Sequence, residues 1–343
     1  MVSSLYKVIF SDLRRGLTQI LFLPYLEVIF MPCSTPVVLL IFRRPDLTAL
    51  VFEAIRQAQP SKLLIVADGP RNKDEVELCQ QARAATDNVD WDCEVLRNYS
   101  GTNMGCRNRV SSGLTWAFEQ VEEAIILEDD CLPHQSFFLY CETLLKHYRH
   151  DQRIMVVSGS NYQDGQKRTP YSYYFSKYNH CWGWATWRRA WKHWELNPQK
   201  WLEFRNDGFM QSICDNSHEE KYWTEIFNTL FLEGKPNTWD YPWTFACWAN
   251  NGLTVLPNVN LVSNLGFGEG ATHTGGDSNL AKMSVEEILS ISHPPFVVQH
   301  KAADYYTFRH VFGGTYRKRW RKKLTKVRSD LSRFSRKLFS KYV

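Results

Sequence analysis

From Pro36 onward, short unbroken apolar runs alternate with segments in which apolar residues recur every three or four positions. The runs are Val37–Phe42, Leu63–Ala67, Ala124–Leu127 and Ile154–Val157, which predict strands covered on both faces, and Cys93–Leu96, although broken by Glu94, can be a strand between the second and third of them. After the first run, Leu47, Leu50, Val51, Ala54, Ile55 and Ala58 keep helical spacing, with Asp46 placed to cap the helix. Residues 74–85 and Arg107–Glu119 suit two more helices. Pro133 opens a fourth, which carries Phe137, Phe138, Cys141, Leu144, Leu145 and Tyr148. Strand and helix alternating at this interval predict an α/β fold: a mostly parallel sheet flanked by helices, Rossmann-like in type. Ligands bind such sheets at the C-terminal ends of the strands. Polar residues gather at those ends: Arg43 and Arg44, Asp68, Asn98 and Asn103, then Glu128, Asp129 and Asp130.

After about residue 165 the pattern changes. Ten of the 13 Trp lie between Trp182 and Trp248, which predicts an aromatic-rich lobe built on the end of the sheet. Further on, Trp320, Leu324, Val327, Leu331, Phe334, Leu338 and Tyr342 form one helical stripe among Lys and Arg, the signature of a basic amphipathic helix. Four parts are therefore expected: an N-terminal arm over 1–34, an α/β lobe over 35–165, an acceptor or catalytic lobe over 166–300, and a basic tail over 301–343.

Charge sharpens this division. The 343 residues carry a net +5, but Tyr316–Val343 holds 12 Lys or Arg and one Asp, a net +11 that leaves the rest at −6. An acidic body argues against nucleic acid as its partner, and the tail suits an anionic membrane surface. The apolar stretch Ile20–Met31 has 12 residues, interrupted by Pro24 and Glu27. It is too short to span a bilayer and poorly shaped for a signal peptide despite Arg14 and Arg15 before it. The nine Cys contain no CxxC spacing, which points away from structural zinc and toward buried thiols in a reducing compartment.

The chemistry centres on Glu128-Asp129-Asp130, three adjacent carboxylates directly after an apolar run. They repel one another at neutral pH unless a cation joins them, and a hard divalent ion, Mg²⁺ or Mn²⁺, is suited to oxygen ligands. Such an ion could neutralise a diphosphate leaving group. Asn103-Met104-Gly105-Cys106-Arg107-Asn108 is a turn leading into a helix, whose backbone N–H groups could face phosphates.

These elements occur in an order that resembles the GT-A glycosyltransferases: Thr35-Pro36-Val37 through Phe42-Arg43-Arg44-Pro45, then Asp68-Gly69, Asn103-x-Gly105 and the acidic triplet. Over about residues 35–275 the chain is similar to the bacterial nucleotide-diphospho-sugar transferases related to N-acetylglucosaminyltransferase I. The resemblance implies roles. Asp68 would bond the uracil edge of a UDP-sugar, Arg44 would neutralise the pyrophosphate, and Asn103 would belong to the nucleotide-sugar site. Asp130 would ligate the metal, Asp129 would contact ribose or metal-bound water, and Glu128 would contact the transferred sugar. His180-Cys181-Trp182-Gly183-Trp184-Ala185 resembles the family's segment beside the donor sugar, which puts Trp182 and Trp184 in the site. Trp239-Asp240-Tyr241-Pro242-Trp243 resembles its tryptophan-flanked acidic motif, with Tyr241 where the relatives carry a second acid. An acceptor hydroxyl needs a general base. Asp240 is the first candidate, with its pKa raised by the indoles, and Glu269 is the next. His273, in the Gly-rich segment Gly266–His273, would approach the diphosphate or the metal.

The expectation is thus a metal-dependent inverting glycosyltransferase. It would move a sugar, GlcNAc by the nearest resemblance, from a UDP-sugar to a hydroxyl of a glycan or lipid-linked acceptor at the cytoplasmic face of a membrane. Two alternatives stand beside it: a nucleotidyltransferase that makes nucleotide-sugars, and a non-catalytic membrane-active or glycan-binding protein on the same fold. The first is disfavoured by the absence of Gly after strand one, where the chain reads Phe42-Arg43-Arg44-Pro45-Asp46.

Overall fold

The computed structural model describes residues 32–267, 280 and 283–312. The first five strands are β1 (Val37–Ile41), β2 (Lys62–Ala67), β3 (Glu94–Tyr99), β4 (Glu123–Glu128) and β5 (Cys131–Pro133). They are followed by β6 (Ile154–Ser158), β7 (Tyr173–Ser176), β8 (Trp184–Trp187), β9 (Leu253–Pro257) and β10 (Val262–Asn264). The helices are α1 (Pro45–Ala58), α2 (Val76–Ala84), α3 (Gly105–Gln120), α4 (Ser136–Tyr148), α5 (Arg188–Trp191), α6 (Pro198–Asn206), α7 (Phe209–Ile213), α8 (Ser217–Glu233), α9 (Asp240–Ala249) and α10 (Lys301–Thr307).

Eight strands make one sheet in the order β3-β2-β1-β4-β8-β6-β9-β7. The half β3-β2-β1-β4 is parallel throughout, and β8 then runs antiparallel to both β4 and β6. The fold is α/β and Rossmann-like, as the periodicity predicts. Alternate side chains of the parallel strands enter two cores, because successive Cβ atoms point to opposite faces. Val37, Leu39 and Ile41 of β1 pack with Val51 and Ile55 of α1 and with Phe137, Leu144 and Leu145 of α4. Val38 and Leu40 pack on the other face with Val110, Leu114 and Phe118 of α3. The aromatic-rich segment extends the second core: Trp184, Trp191, Trp201, Trp223, Trp239, Trp243 and Trp248 are all buried in it.

Three sequence expectations change in detail. Helix α1 starts at Pro45, and its N-cap residue is Arg44, not Asp46. Its inward stripe is Thr48, Val51, Phe52, Ala54, Ile55 and Ala58, whereas Leu50 is exposed. Pro133 does not open a helix. It ends β5, which pairs antiparallel with β10 through Cys131–Asn264, Leu132–Ser263 and Pro133–Val262, and α4 begins at Ser136. Strand β3 runs on to Tyr99 as a half-buried edge strand, so its polar Arg97 and Asn98 are tolerated there.

Residues 301–312, assigned from sequence to the start of the tail, dock on the body. Ala303, Asp304, Thr307 and Phe308 are buried, and the Phe312 ring lies 5.0 Å from that of Tyr178. The tail stripe from Trp320 lies outside the described residues. All nine Cys are unpaired, and each is buried or half-buried. Among the described residues no helix is long and apolar enough to cross a membrane.

Candidate active site

A cleft of about 380 Å³ opens at the C-terminal ends of β1, β2 and β4. Parallel pairing places Leu40 opposite Glu128, so the loops leaving β1 and β4 emerge side by side although some 85 residues separate them. One wall holds Phe42, Arg43, Arg44, Glu128, Asp129 and Asp130. A second, from the β2 loop and the start of α3, holds Asp68, Arg71, Asn103, Gly105, Cys106 and Arg109. The far wall holds Cys181, Trp182, Thr238, Trp239, Asp240 and Gly266.

Arg44 binds two of the three acids. Its guanidinium donates to Asp130 Oδ2 at 2.9 Å and to Asp129 Oδ1, and the Phe42 N–H donates to Asp129 Oδ2 at 3.2 Å. The Glu128 carboxylate accepts no hydrogen bond from the described residues and faces the cleft. Burial first, then the Asp130 and Asp129 charges beside it, push Glu128 up to about 8, with Arg44 pulling the other way and Asp240 near enough to add to the rise. Burial also lifts Asp129 to about 6 against the pull of Arg44. Arg44 loses some of its proton affinity to burial, but Asp129 and Asp130 more than restore it and hold it above its usual value. The pair is thus favourable for the arginine, while desolvation dominates at the carboxylate.

Among the described residues no group of three His, Cys, Asp or Glu side chains forms a cation cage. The donors present fit a different kind of site. Mg²⁺ and Mn²⁺ favour oxygen, need only one or two carboxylates, and take their remaining positions from substrate phosphates and water. Asp129 and Asp130 supply those carboxylates at the cleft wall. A Cβ at Gly266 would lie 2.1 Å from Asp130 Oδ2, so any side chain there would require the Asp130 carboxylate to shift. The Leu265 N–H donates to the Asp130 carbonyl at 2.7 Å and continues the β5–β10 pairing across the cleft edge.

Asp68 is placed in the cleft but is already fully bonded. Its Oδ1 accepts from Gly69 N at 2.8 Å and Met104 N at 2.9 Å, and its Oδ2 accepts from Asn103 Nδ2 at 3.0 Å and Gly105 N at 3.1 Å. A carboxylate offers about four lone-pair sites, and these contacts fill them. Asp68 therefore ties the start of α3 to β2, and two N–H groups expected to face phosphates are spent on it. Asn103 shares this role through a second bond from its Nδ2 to the Gly69 carbonyl at 2.9 Å. Asp68→Ala should lower unfolding stability by about 2–3 kcal/mol, as buried donors lose their acceptor. Urea titration measures this, and unchanged stability combined with lost nucleotide binding would instead make Asp68 a direct base reader.

Of three further candidates, one needs correction and two lie outside the described residues. Trp184 does not reach the cleft: it lies in β8, opposite Ile126 of β4, buried at 1% exposure and stacked on Trp239 at 5.3 Å. Trp182, two residues earlier, lines the cleft, with the Phe267 ring at 87° to it and 5.5 Å away. Glu269 and His273 lie outside the described residues. Asp240 is the first residue of α9, one of the cleft-lining groups, and Thr238 Oγ1 donates to its Oδ1.

The sequence reading missed several wall residues. Arg71 pairs with the buried Glu75 and lies over the Phe42 ring, and Arg109 donates to the Ala67 carbonyl at 3.0 Å and to Asn98 Oδ1 at 2.8 Å. Arg71 was detectable in principle, two residues after Asp68-Gly69. Arg109 was not, because it sits within a helix whose apolar spacing gives no hint of which polar side chains turn inward.

His180, just before Cys181 and Trp182, is buried, and burial lowers its pKa to about 3. The folded protein thus keeps it neutral where the unfolded chain, near 6.5, takes up a proton. Its contribution is present above pH 6.5 and is lost as pH falls toward 3. Between pH 6.5 and 4.5 that loss is roughly 2–3 kcal/mol. His180→Phe should flatten the acid limb by that amount relative to wild type when urea midpoints are compared at the two pH values. Identical pH slopes would refute it.

No family model matches the chain, and no curated protein does. Among solved structures it is similar to 4-diphosphocytidyl-2C-methyl-D-erythritol synthase from Anaerococcus prevotii DSM 20548. That match has 10% identity and a TM-score of 0.29, over 57% of this chain and 84% of that one. It is also similar to UDP-glucose pyrophosphorylase complexed with UDP-glucose, at 10% identity and a TM-score of 0.27, over 47% of this chain and 80% of that one. Likenesses at these scores carry no conclusion about chemistry.

Proposed function

We propose that this chain is a transferase that uses a nucleotide-sugar, moving the sugar from a UDP-sugar to a hydroxyl of a glycan or lipid-linked acceptor. One observation carries the reading: a single cleft at the strand ends holds Arg44, Asp129 and Asp130 on one wall and Asp240 with Trp182 on the other. The first group suits a diphosphate and its cation. The second suits a sugar ring and the proton that a reacting hydroxyl must lose.

Asp129 and Asp130 would hold Mg²⁺ or Mn²⁺. When bound, that ion supplies charge neutralisation for the departing nucleoside diphosphate. Arg44 adds a permanent positive charge to the same wall. The indole face of Trp182 packs against the sugar, and Asp240, oriented by Thr238, takes the acceptor's proton as its oxygen attacks the anomeric carbon. Cys106 and Cys181 also line the cleft, but burial pushes both thiols up, so they stay protonated and are poor nucleophiles.

The second reading is nucleotidyl transfer, in which a sugar phosphate attacks a nucleoside triphosphate and pyrophosphate leaves. Thermal melting with UDP, GDP, CDP and dTDP, each with Mn²⁺ and with EDTA, tests both. A ligand at 100 times its Kd stabilises the folded state by about 2.7 kcal/mol. Glycosyl transfer predicts a UDP shift that requires Mn²⁺. Pyrophosphate release from a triphosphate and a sugar phosphate would establish the second reading, and no shift with any nucleotide would end both.

A further inference from the structure

We propose that Arg44 is an exchangeable counter-ion: it neutralises Asp129 and Asp130 in the ion pairs seen here and passes to the diphosphate when a divalent cation takes its place. The inference rests on the nucleotide-sugar reading and adds an order of events to it.

The geometry supports this in three ways. First, the guanidinium spans both acids, 2.9 Å from Asp130 Oδ2 and bonded to Asp129 Oδ1, so it occupies one oxygen of each carboxylate that a cation would bind. A guanidinium has no lone pair to offer a metal, and its charge repels one, so the two cannot share these oxygens. Second, Arg44 is free to leave. It sits at the N-cap position of α1, and its side chain, 27% exposed, takes no part in the core. Its backbone carbonyl, not its side chain, anchors the helix by accepting from Thr48 N at 2.9 Å. Third, there is a destination. Arg44 and Arg43 lie on the same cleft wall, where a planar fork of donors matches phosphate oxygens as well as it matches carboxylates.

The consequence is a coupling. A cation alone must expel Arg44 into water, whereas a cation arriving with a diphosphate exchanges one partner of Arg44 for another. Cation and nucleotide therefore tighten each other's binding by the same factor. The cleft would then discriminate against the bare ion.

Mn²⁺ binding without nucleotide tests this, read from the electron paramagnetic resonance signal of free Mn²⁺ at pH 8. Arg44→Met should bind Mn²⁺ at least tenfold more tightly than wild type, although it loses affinity for UDP. Arg44→Lys, whose single ammonium cannot span both acids, should shift in the same direction and decides the matter if Arg44→Met does not fold. Mn²⁺ binding no tighter in a folded Arg44 variant than in wild type would overturn the proposal. Failure of the functional reading looks different: UDP with Mn²⁺ would then bind neither wild type nor variant, while the tightening toward bare Mn²⁺ in Arg44→Met would remain.

Discussion

Asp130→Ala will abolish the Mn²⁺-dependent part of nucleotide binding and lower sugar transfer by roughly 10²–10³-fold or more, the range seen when a group stabilising transition-state charge is removed. The fold should survive. Asp130 follows β4, the β1–β4 register ends at Glu128, and Arg44 keeps its bond to Asp129. Apart from its side chain's contacts with Arg44 and the Cys131 thiol, the residue is tied in by its backbone, whose carbonyl accepts from Leu265 N. Melting of the variant within a few degrees of wild type, with the UDP shift in Mn²⁺ reduced to that in EDTA, is the expected pair of results. An unchanged Mn²⁺-dependent shift would remove Asp130 from the site and the metal with it.

Lys177→Met should be strongly destabilising although Lys177 lies away from the cleft. Lys177 Nζ sits within 3.0 Å of Glu219 and of Asp215 Oδ2, and donates to the Ile213 carbonyl at 3.0 Å. Glu219 is 2% exposed and also accepts from the Tyr178 hydroxyl and from Asp215 N. Burial alone would lower the lysine, but Glu219 outweighs it and the ammonium is held above its usual value. Removing the cation leaves a buried carboxylate without its counter-charge, which costs about 3–5 kcal/mol. Urea unfolding measures the loss. Lys177→Met with Glu219→Gln should recover most of it, since the uncompensated charge is then gone. The site would feel the single change too. Lys177 begins the segment that leads to His180, Cys181 and Trp182, and its carbonyl accepts from Trp248 Nε1 of α9, the helix that starts at Asp240. A loss below 1 kcal/mol would show that the network contributes little beyond its own desolvation.

The parallel half of the sheet was legible for a simple reason. A strand covered on both faces cannot alternate, so β1, β2 and β4 appear as unbroken apolar runs. Helix α1 was legible in kind but not in rotation: Thr48 and Phe52 turn inward, and Leu50 turns out. Spacing alone does not tell which of two neighbouring stripes meets the sheet. Helix α4 was placed too early because Pro133 suits a helix start and equally suits the end of an edge strand. The choice was made by β10, about 130 residues later in the chain. The acidic triplet was legible as a cluster, and its position after a buried run placed it at the sheet's C-terminal edge.

What the residues do to one another there was not legible. Asp68 reads as a strand-end acid turned toward a nucleotide base, yet its oxygens are filled by groups from Gly69 and from Asn103 to Gly105. Arg44 and the acids meet only because β1 pairs with β4. Trp182 and Trp184 look equivalent in the sequence, but one lines the cleft and the other lies in β8 within the core. The linear order of residues therefore determined the α/β class, the strand ends and the presence of a carboxylate cluster, because burial and backbone periodicity act over a few neighbouring positions. The tertiary structure alone decided which acids are neutralised, which indole meets the cleft and where Asp240 stands, because strand pairing and helix packing bring together groups that the chain keeps 35 to more than 100 residues apart.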